Sequence, residues 1–366
     1  MSSPDVVVVG GGIVGIAVAA SCARRGLAVT LCEARGLAEA ASGRNQGLVI
    51  GPNPPEMEAI SRKTLELLLD LHERSGQAFA FDREPYPCLM LGEQEGVELL
   101  DGAALQELEP TLAPDVGRGW INPNARRIDP GAAAVTLAEE ARAAGAEIRT
   151  GCAVSELLRR GDDVTGVLTD DGRIEAASVV VAAGPWSWRV CRSLPHDVPV
   201  RGVRGWIIVT RPAPFRLGHV IEELTRTVPA APTLEQLAGG TEPAANVECV
   251  LQQDAAGRVL VGASLHGATT EADESPETRR AIARRAVEVV PALAGLEIAD
   301  SRSCQRPYSP DDLPLIGPYP GISGLLLATG HGSLGVTHSL GSGEAVATGI
   351  TNGDWDAALA PARLLG

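Results

Sequence analysis

The sequence predicts an α/β chain whose parallel sheet is assembled from separated stretches and interrupted by α+β segments with a mixed sheet of their own. Three observations carry this expectation. A run of four valines, Val6 to Val9, meets the glycines Gly10, Gly12 and Gly15 and then an alanine-rich apolar stretch. A second apolar run, Leu27 to Cys32, stops on an acid, Glu33. Two later runs, Ser178-Val-Val-Val-Ala-Ala-Gly184 and Gly324-Leu-Leu-Leu-Ala-Thr-Gly330, also end in glycine. Short unbroken apolar runs read as strands covered on both faces, the usual place of parallel strands.

Each element follows in order. The valines form the first strand. Gly10 permits the tight turn, Gly12 lets backbone approach a pyrophosphate, and Gly15 lets the next helix pack close to the strand. That helix starts at Ile13 and Val14 and offers free N–H groups and a positive dipole end to phosphates. Glu33 stands where a carboxylate takes ribose hydroxyls, with Ala34 and Arg35 beside it. Ile13 to Cys22 imitates a secretory signal, but Asp5 precedes it without any Lys or Arg. The reading is therefore a Rossmann-like dinucleotide site. A small-residue loop, Ala40 to Gly47, follows, and then a helix from Glu56 to Ser75 introduced by Pro52, Pro54 and Pro55. Phe79 to Leu91 reads as strands, Gly131 to Ala144 as a helix begun by Asp129-Pro130, and Ala146 to Val154 as one parallel strand. Asp163 to Ile174 reads as a hairpin turning at Asp170-Asp171-Gly172. Longer strands occupy Val190 to Asp300, with a helix at Pro276 to Val290 and a polar loop at Leu217 to Ala245. The chain closes on a helix at Gly343 to Ile350.

This order gives a discontinuous dinucleotide domain, 1–50, 146–190 and 301–366, and an inserted substrate domain, 51–145 and 191–300. A chain of 366 residues is long enough for both. The net charge of −15 argues against nucleic-acid or anionic-membrane partners, which need basic surfaces. No apolar run reaches membrane-spanning length. Seven scattered cysteines, without metal spacing, predict no disulfide framework, no metal site and a reducing cytoplasm. Basic residues are almost all arginine, and Lys63 is the only lysine.

With these pieces in place the chain resembles the D-amino-acid oxidase family of FAD enzymes. That family includes glycine oxidase, sarcosine oxidase, D-amino-acid dehydrogenase and the flavin subunits of opine and hydroxyproline dehydrogenases. The resemblance covers nearly the whole chain. It is carried by Gly10 to Gly15 with Glu33, Ala41-Ser42, Val154, Ala182-Ala183-Gly184-Pro185-Trp186-Ser187, Val200 to Gly205, Arg306-Pro307 through Gly317, and Thr329 to Thr337. The tone is nearest to D-amino-acid dehydrogenase and the opine-type subunits.

The resemblance implies FAD, held non-covalently in most members, and oxidation of an amine carbon next to a carboxylate. Hydride leaves that carbon for flavin N5, and the imine hydrolyses. Arg306 then corresponds to the arginine that holds the substrate carboxylate, a task for a fixed bidentate cation. The turn Gly330-His331-Gly332-Ser333-Leu334-Gly335-Val336-Thr337 presents N–H groups to the flavin's pyrimidine edge. His331 is also a candidate acid/base. Ser42, Arg44, Asn45, Gln46, Gly47 and Leu48 pass by the flavin and pyrophosphate, and Ala183, Gly184 and Trp186 complete the cofactor set. Trp206, Tyr308 and His266 are candidates to wall the substrate cavity. Sarcosine oxidase relatives bond flavin to a cysteine near the register of Cys304, so a covalent link there is a further option. The alternatives left open are a flavin subunit of a multi-subunit amine dehydrogenase with a non-oxygen acceptor, a sarcosine-oxidase-like N-dealkylating enzyme, and a nonenzymatic cofactor-binding protein. Partner subunits and an oligomer are compatible with each.

Overall fold

The computed structural model describes residues 3–223, 246–265 and 276–366. They form two units: 1–81, 128–202 and 306–366 in the first, 82–127 and 203–305 in the second. These boundaries differ from those expected. Residues 51–81 and 128–145 fall in the first unit because their helices pack there. Helix Glu58–Arg74 lies against helix Gly335–Asn352, and helix Pro130–Ala143 against helix Ile13–Arg24.

The first unit is layered about a six-stranded sheet. Its order is Leu315–Pro318, Leu325–Thr329, Ser178–Val181, Val6–Val9, Val29–Glu33 and Glu147–Thr150. All neighbours are parallel except Leu315–Pro318. The valine run shows why its residues are apolar without alternation. Val6 and Val8 join a core with helices Ile13–Arg24 and Gly335–Asn352. Val7 and Val9 join a second core with Leu157, Val167 and Ile174. Those three belong to an antiparallel sheet of Val154–Arg160, Asp163–Thr169 and Gly172–Glu175. A strand clothed on both faces has no polar side to write into its sequence.

Three sequence expectations are corrected here. Ala146 to Val154 is not one strand: Gly151, at φ 66°, turns the chain, so Glu147–Thr150 joins the parallel sheet and Val154 starts the antiparallel one. The last helix begins at Gly335, not Gly343, and runs to Asn352. Its glycines, which lower helix propensity, serve close packing instead. A Cβ at Gly343 would stand 2.5 Å from the backbone carbon of Ala17, and one at Gly341 2.2 Å from the Ile60 carbonyl oxygen. In Phe79 to Leu91 only Cys88–Leu91 is a strand, while Phe81 makes a single bridge to Ile128.

The second unit holds most of a mixed eight-stranded sheet. Val220–Glu223 runs parallel to Cys88–Leu91 and antiparallel to Asn246–Gln253. Helix Pro276–Val289 covers one sheet face through Ile282, Ala286 and Val289. Of the expected loop at Leu217 to Ala245, Val220–Glu223 is strand and residues 224–245 lie outside the described ones.

Gly343→Ala forces helix Gly335–Asn352 off helix Ile13–Arg24. The expected loss is about 1–3 kcal/mol of stability, read from chemical denaturation, with secondary structure otherwise unchanged.

Candidate active site

Five parallel strands deliver their carboxyl ends to one edge of the first unit's sheet: Thr329, Val181, Val9, Glu33 and Thr150 in spatial order. Ligands of open α/β sheets bind at this edge. The glycines there divide into two kinds. Gly10 has φ 114°, and a Cβ on it would lie 2.5 Å from the Ala182 carbonyl oxygen. A Cβ on Gly15 would lie 2.0 Å from the Gly10 oxygen. Both are glycine because the fold demands it. Gly12 has an ordinary φ of −74°, and a Cβ there would meet only the Ser42 hydroxyl, at 3.1 Å. Nothing in the backbone requires Gly12 to be glycine, so the cradle it leaves suits a ligand that approaches the chain closely.

Helix Ile13–Arg24 carries no side-chain cap at Gly12. Ser42 Oγ accepts the Ile13 N–H at 2.9 Å, tying the Ala41–Arg44 turn to the helix start near Val14. Glu33 accepts Gly11 N–H at 2.6 Å with one oxygen and Arg35 N–H at 2.8 Å with the other. Its carboxylate is thus fixed at the sheet edge, with Ala34 following. The Arg35 guanidinium lies 5.7 Å from the Trp186 ring centroid. Arg35 and Arg44 line a cleft of about 380 Å³ with Leu37, Ala38 and Glu39.

Asn45 departs from the expected reach toward a ligand. Its amide nitrogen donates to the Ala41 and Ser42 carbonyls at 2.8 and 2.9 Å, and its oxygen accepts Gly47 N–H at 2.8 Å. The side chain shapes the loop. Gln46 and Gly47, the latter at φ 82°, carry the chain into strand Leu48–Val49. Ala183, Gly184 and Trp186 form a tight turn after Ser178–Val181, and the Gly184 carbonyl accepts hydroxyls from Ser187 and Thr329. This locks that turn to the neighbouring strand. Val154 lies at the start of the antiparallel sheet.

Gly330 and Gly332, at φ 87° and 52°, bend the chain into helix Gly335–Asn352. Residues Gly332–Leu334 form one tight turn, and no side chain caps the helix. Its first turn contains Gly335, Val336 and Thr337, and Thr337 Oγ1 accepts the Ile50 N–H at 3.2 Å. Tyr308 pairs its backbone with that of His331, and its hydroxyl meets Ser333 Oγ at 2.7 Å. Arg306, two residues before Tyr308, is thereby carried on the same segment as this pairing.

His331 turns inward. Its Nε2 meets Ser342 Oγ at 3.0 Å, and burial, helped by nearby His338, lowers its pKa to about 3. A neutral ring without solvent access does not fit an acid/base that cycles near pH 7. Burial likewise lowers His338 to about 4, where Nε2 meets Asn53 Oδ1 at 2.8 Å. Trp206 packs with Ile208 and Val261 in the core of the second unit, under the Arg279 guanidinium. It is core rather than an exposed wall. His266 lies outside the described residues. Cys304 is half-buried, and the other six cysteines are buried. Sequence reasoning missed Gly11, Thr329, Asn53 and His338. Gly11 was signalled by the unbroken Gly10-Gly11-Gly12 run, whereas the others have no local signature.

Fold and edge together define a dinucleotide-binding flavoprotein architecture of the Rossmann-like kind. The chain belongs to the DAO family of FAD dependent oxidoreductases, whose pattern it matches over residues 5–348. It is similar to glycine oxidase of Pseudomonas putida, 26% identical over 353 residues that cover 90% of this chain and 89% of that one. The glycine oxidase of Pseudomonas aeruginosa is 28% identical over 349 residues, 90% of each chain. Among solved structures, glycine oxidase from Geobacillus kaustophilus superposes with a TM-score of 0.84 over 100% of both chains at 23% identity, a likeness of fold. The protein is an FAD-dependent oxidoreductase. No described helix is long and apolar enough to cross a membrane.

Two outcomes are expected. Gly12→Ala leaves the FAD-free protein folded with stability changed by no more than about 0.5 kcal/mol, yet weakens FAD at least about tenfold, as a methyl displaces the ligand's closest contact; Gly10→Ala loses the fold itself. Fluorescence titration with FAD and thermal melting separate the two. The second outcome concerns pH. His331 and His338 are neutral when folded but take protons near pH 6.5 when unfolded. Their contribution is therefore complete above about pH 6.5 and drains away as pH falls toward about 4 and 3. Urea unfolding should show stability falling below pH 6.5, with a shallower slope in His331→Gln/His338→Gln.

Proposed function

We propose that the protein oxidises the amine carbon of an amino acid or N-substituted amino acid, with Arg306 holding the substrate carboxylate. The observation that carries this reading is the similarity to glycine oxidases along nine-tenths of the chain. The sheet edge fits the cofactor: the open cradle at Gly12 and the helix N-terminus beside it suit a pyrophosphate, and Glu33 suits a ribose.

Bound FAD supplies the two-electron acceptor. The chain's own groups do the rest. Arg306 offers two parallel N–H donors that fix the carboxylate, and so the orientation of the adjacent carbon. The uncapped N–H groups at the start of helix Gly335–Asn352 favour negative charge on whatever ring lies against them. His331 supports that turn from inside through Ser342. Buried and with its pKa lowered, it is a poor proton acceptor, so the substrate amine loses its proton to water or arrives neutral.

One observation favours a second reading for the electron acceptor. Lys63, the only lysine, is exposed on helix Glu58–Arg74 and pairs with Glu66 at 2.7 Å. A surface lysine so engaged is a poor candidate to activate oxygen, which favours delivery of electrons to another acceptor or partner subunit. N-dealkylation of an N-methyl amino acid uses the same carbon-to-cofactor step and stays within the proposal.

The test is anaerobic mixing of the yellow protein with glycine, sarcosine, D-proline, D-amino acids and opines. Bleaching by one class supports the reading, and its absence with all of them refutes it. Readmitted air recolours an oxidase within seconds and a dehydrogenase only with an added dye. Arg306→Ala should retain FAD while losing at least about a hundredfold in kcat/KM, as expected when one partner of a charge-assisted pair is removed. An unchanged KM refutes the carboxylate role.

A further inference from the structure

The turn from Gly330 to Leu334 carries two left-handed glycines, Gly330 at φ 87° and Gly332 at φ 52°. Glycine brings backbone freedom with it, so a turn built on two of them keeps one shape when other groups hold it. Two side chains do so. From within, buried His331 meets Ser342 Oγ at 3.0 Å. Nearer the surface, Tyr308 holds the turn in three ways. Its backbone pairs with that of His331. Its ring lies against Gly332, where a Cβ would stand 3.4 to 3.6 Å from three ring carbons. Its hydroxyl meets Ser333 Oγ at 2.7 Å.

Ser333 is exposed and Tyr308 half-buried. A neutral hydrogen bond open to water adds little to global stability, because water replaces either partner. Its effect is local. It fixes which way the turn Gly332–Leu334 faces, and that turn runs into a helix start, at Gly335, that no side chain caps. The N–H groups of this start favour negative charge on a ring lying against them, and such donors act most strongly when they are fixed beforehand.

The same tyrosine is tied to Arg306. Alternation along strand Ile298–Tyr308 sends residues 306 and 308 to one face and Pro307 to the other. Arg306, Tyr308 and the whole turn belong to the first unit. The strand end that carries the guanidinium is thus fastened to the turn that carries the N–H groups. We propose that Tyr308 is a positioning residue of the reaction: through Ser333 its hydroxyl holds the turn in the geometry that favours the reduced cofactor, in register with Arg306. The link to Arg306 rests on the carboxylate reading above, whereas the hold on the turn needs FAD alone.

The test is Tyr308→Phe in the FAD-loaded protein. The ring and the backbone pairing stay, and the hydroxyl goes. Sulfite is the probe, because it adds reversibly to flavin and its affinity follows the stabilisation of negative charge on the ring. That affinity, read from bleaching of the visible band, should fall about threefold to tenfold, the net effect of one hydrogen bond. Ser333→Ala should lose as much, the double variant no more than either single one, and Ser333→Thr, which keeps a hydroxyl, should stay near the wild type. FAD affinity and the melting temperature of the FAD-free protein should not move, since the oxidised ring carries no added charge. With an amine that bleaches the protein, kcat should fall in step with sulfite affinity while KM changes by less than about twofold, the reverse of Arg306→Ala. Unchanged sulfite affinity in both single variants overturns the inference, and so do additive losses in the double variant. A loss matched by equal losses of FAD affinity and melting temperature also overturns it, since that marks a contact that merely supports the fold. If Tyr308→Phe folds poorly, the two Ser333 variants decide. If no amine bleaches the protein, the amine reading fails, and sulfite still decides this inference.

Discussion

The contact on which the cofactor unit depends is between Gly15 and Gly10. A helix cannot leave a buried strand through a three-glycine turn unless its first turn lies against the turn's own carbonyl. Here a single methyl on Gly15 would overlap the Gly10 oxygen at 2.0 Å. That closeness sets the helix axis, and the axis sets where its free N–H groups point. Ser42 then reaches Ile13 and Glu33 reaches Gly11, so loop and second strand are registered to the same helix start. The second half of the site is held by an analogous lock between strands, in which Thr329 and Ser187 share the Gly184 carbonyl.

Much of this was legible in the sequence where local chemistry and tertiary role coincide. Val6 to Val9 is apolar at every position because it is covered on both sides, and Gly10 is glycine because its φ excludes a side chain. Legibility failed where glycine serves packing rather than conformation. Gly341 and Gly343 look like helix breakers from neighbouring residues alone, and their reason lies in Ile60 and Ala17, hundreds of positions away. It failed again at Gly151, where one left-handed residue redirects an apolar run from one sheet to another. Within the candidate site, the strand-end glycines and Glu33 were readable from spacing. The Asn53–His338 and His331–Ser342 pairs were not, because no periodicity announces a side chain bonded to a distant turn.

The two buried histidines also change how the turn before the last helix is understood. A protonated imidazole beside that turn would compete with its N–H groups for negative charge and would vary with pH. Held neutral, His331 contributes shape without a variable field. Preorganisation of this kind leaves the backbone dipoles as the dominant local electrostatics, and backbone dipoles do not titrate.

The glycine-lined seam between helices Ile13–Arg24 and Gly335–Asn352 has a consequence for biosynthesis. The first of these helices is made early and is apolar nearly all round, with ten of its twelve residues buried. Its partner is made only after every strand of the first unit's six-stranded sheet. Until Gly343 meets Ala17, the early helix has an uncovered apolar flank, and the late one, poor in intrinsic propensity, has little reason to coil. The cofactor unit therefore completes itself only once this later helix is made, and until then the early helix's apolar flank is open to chaperones that shield apolar surface.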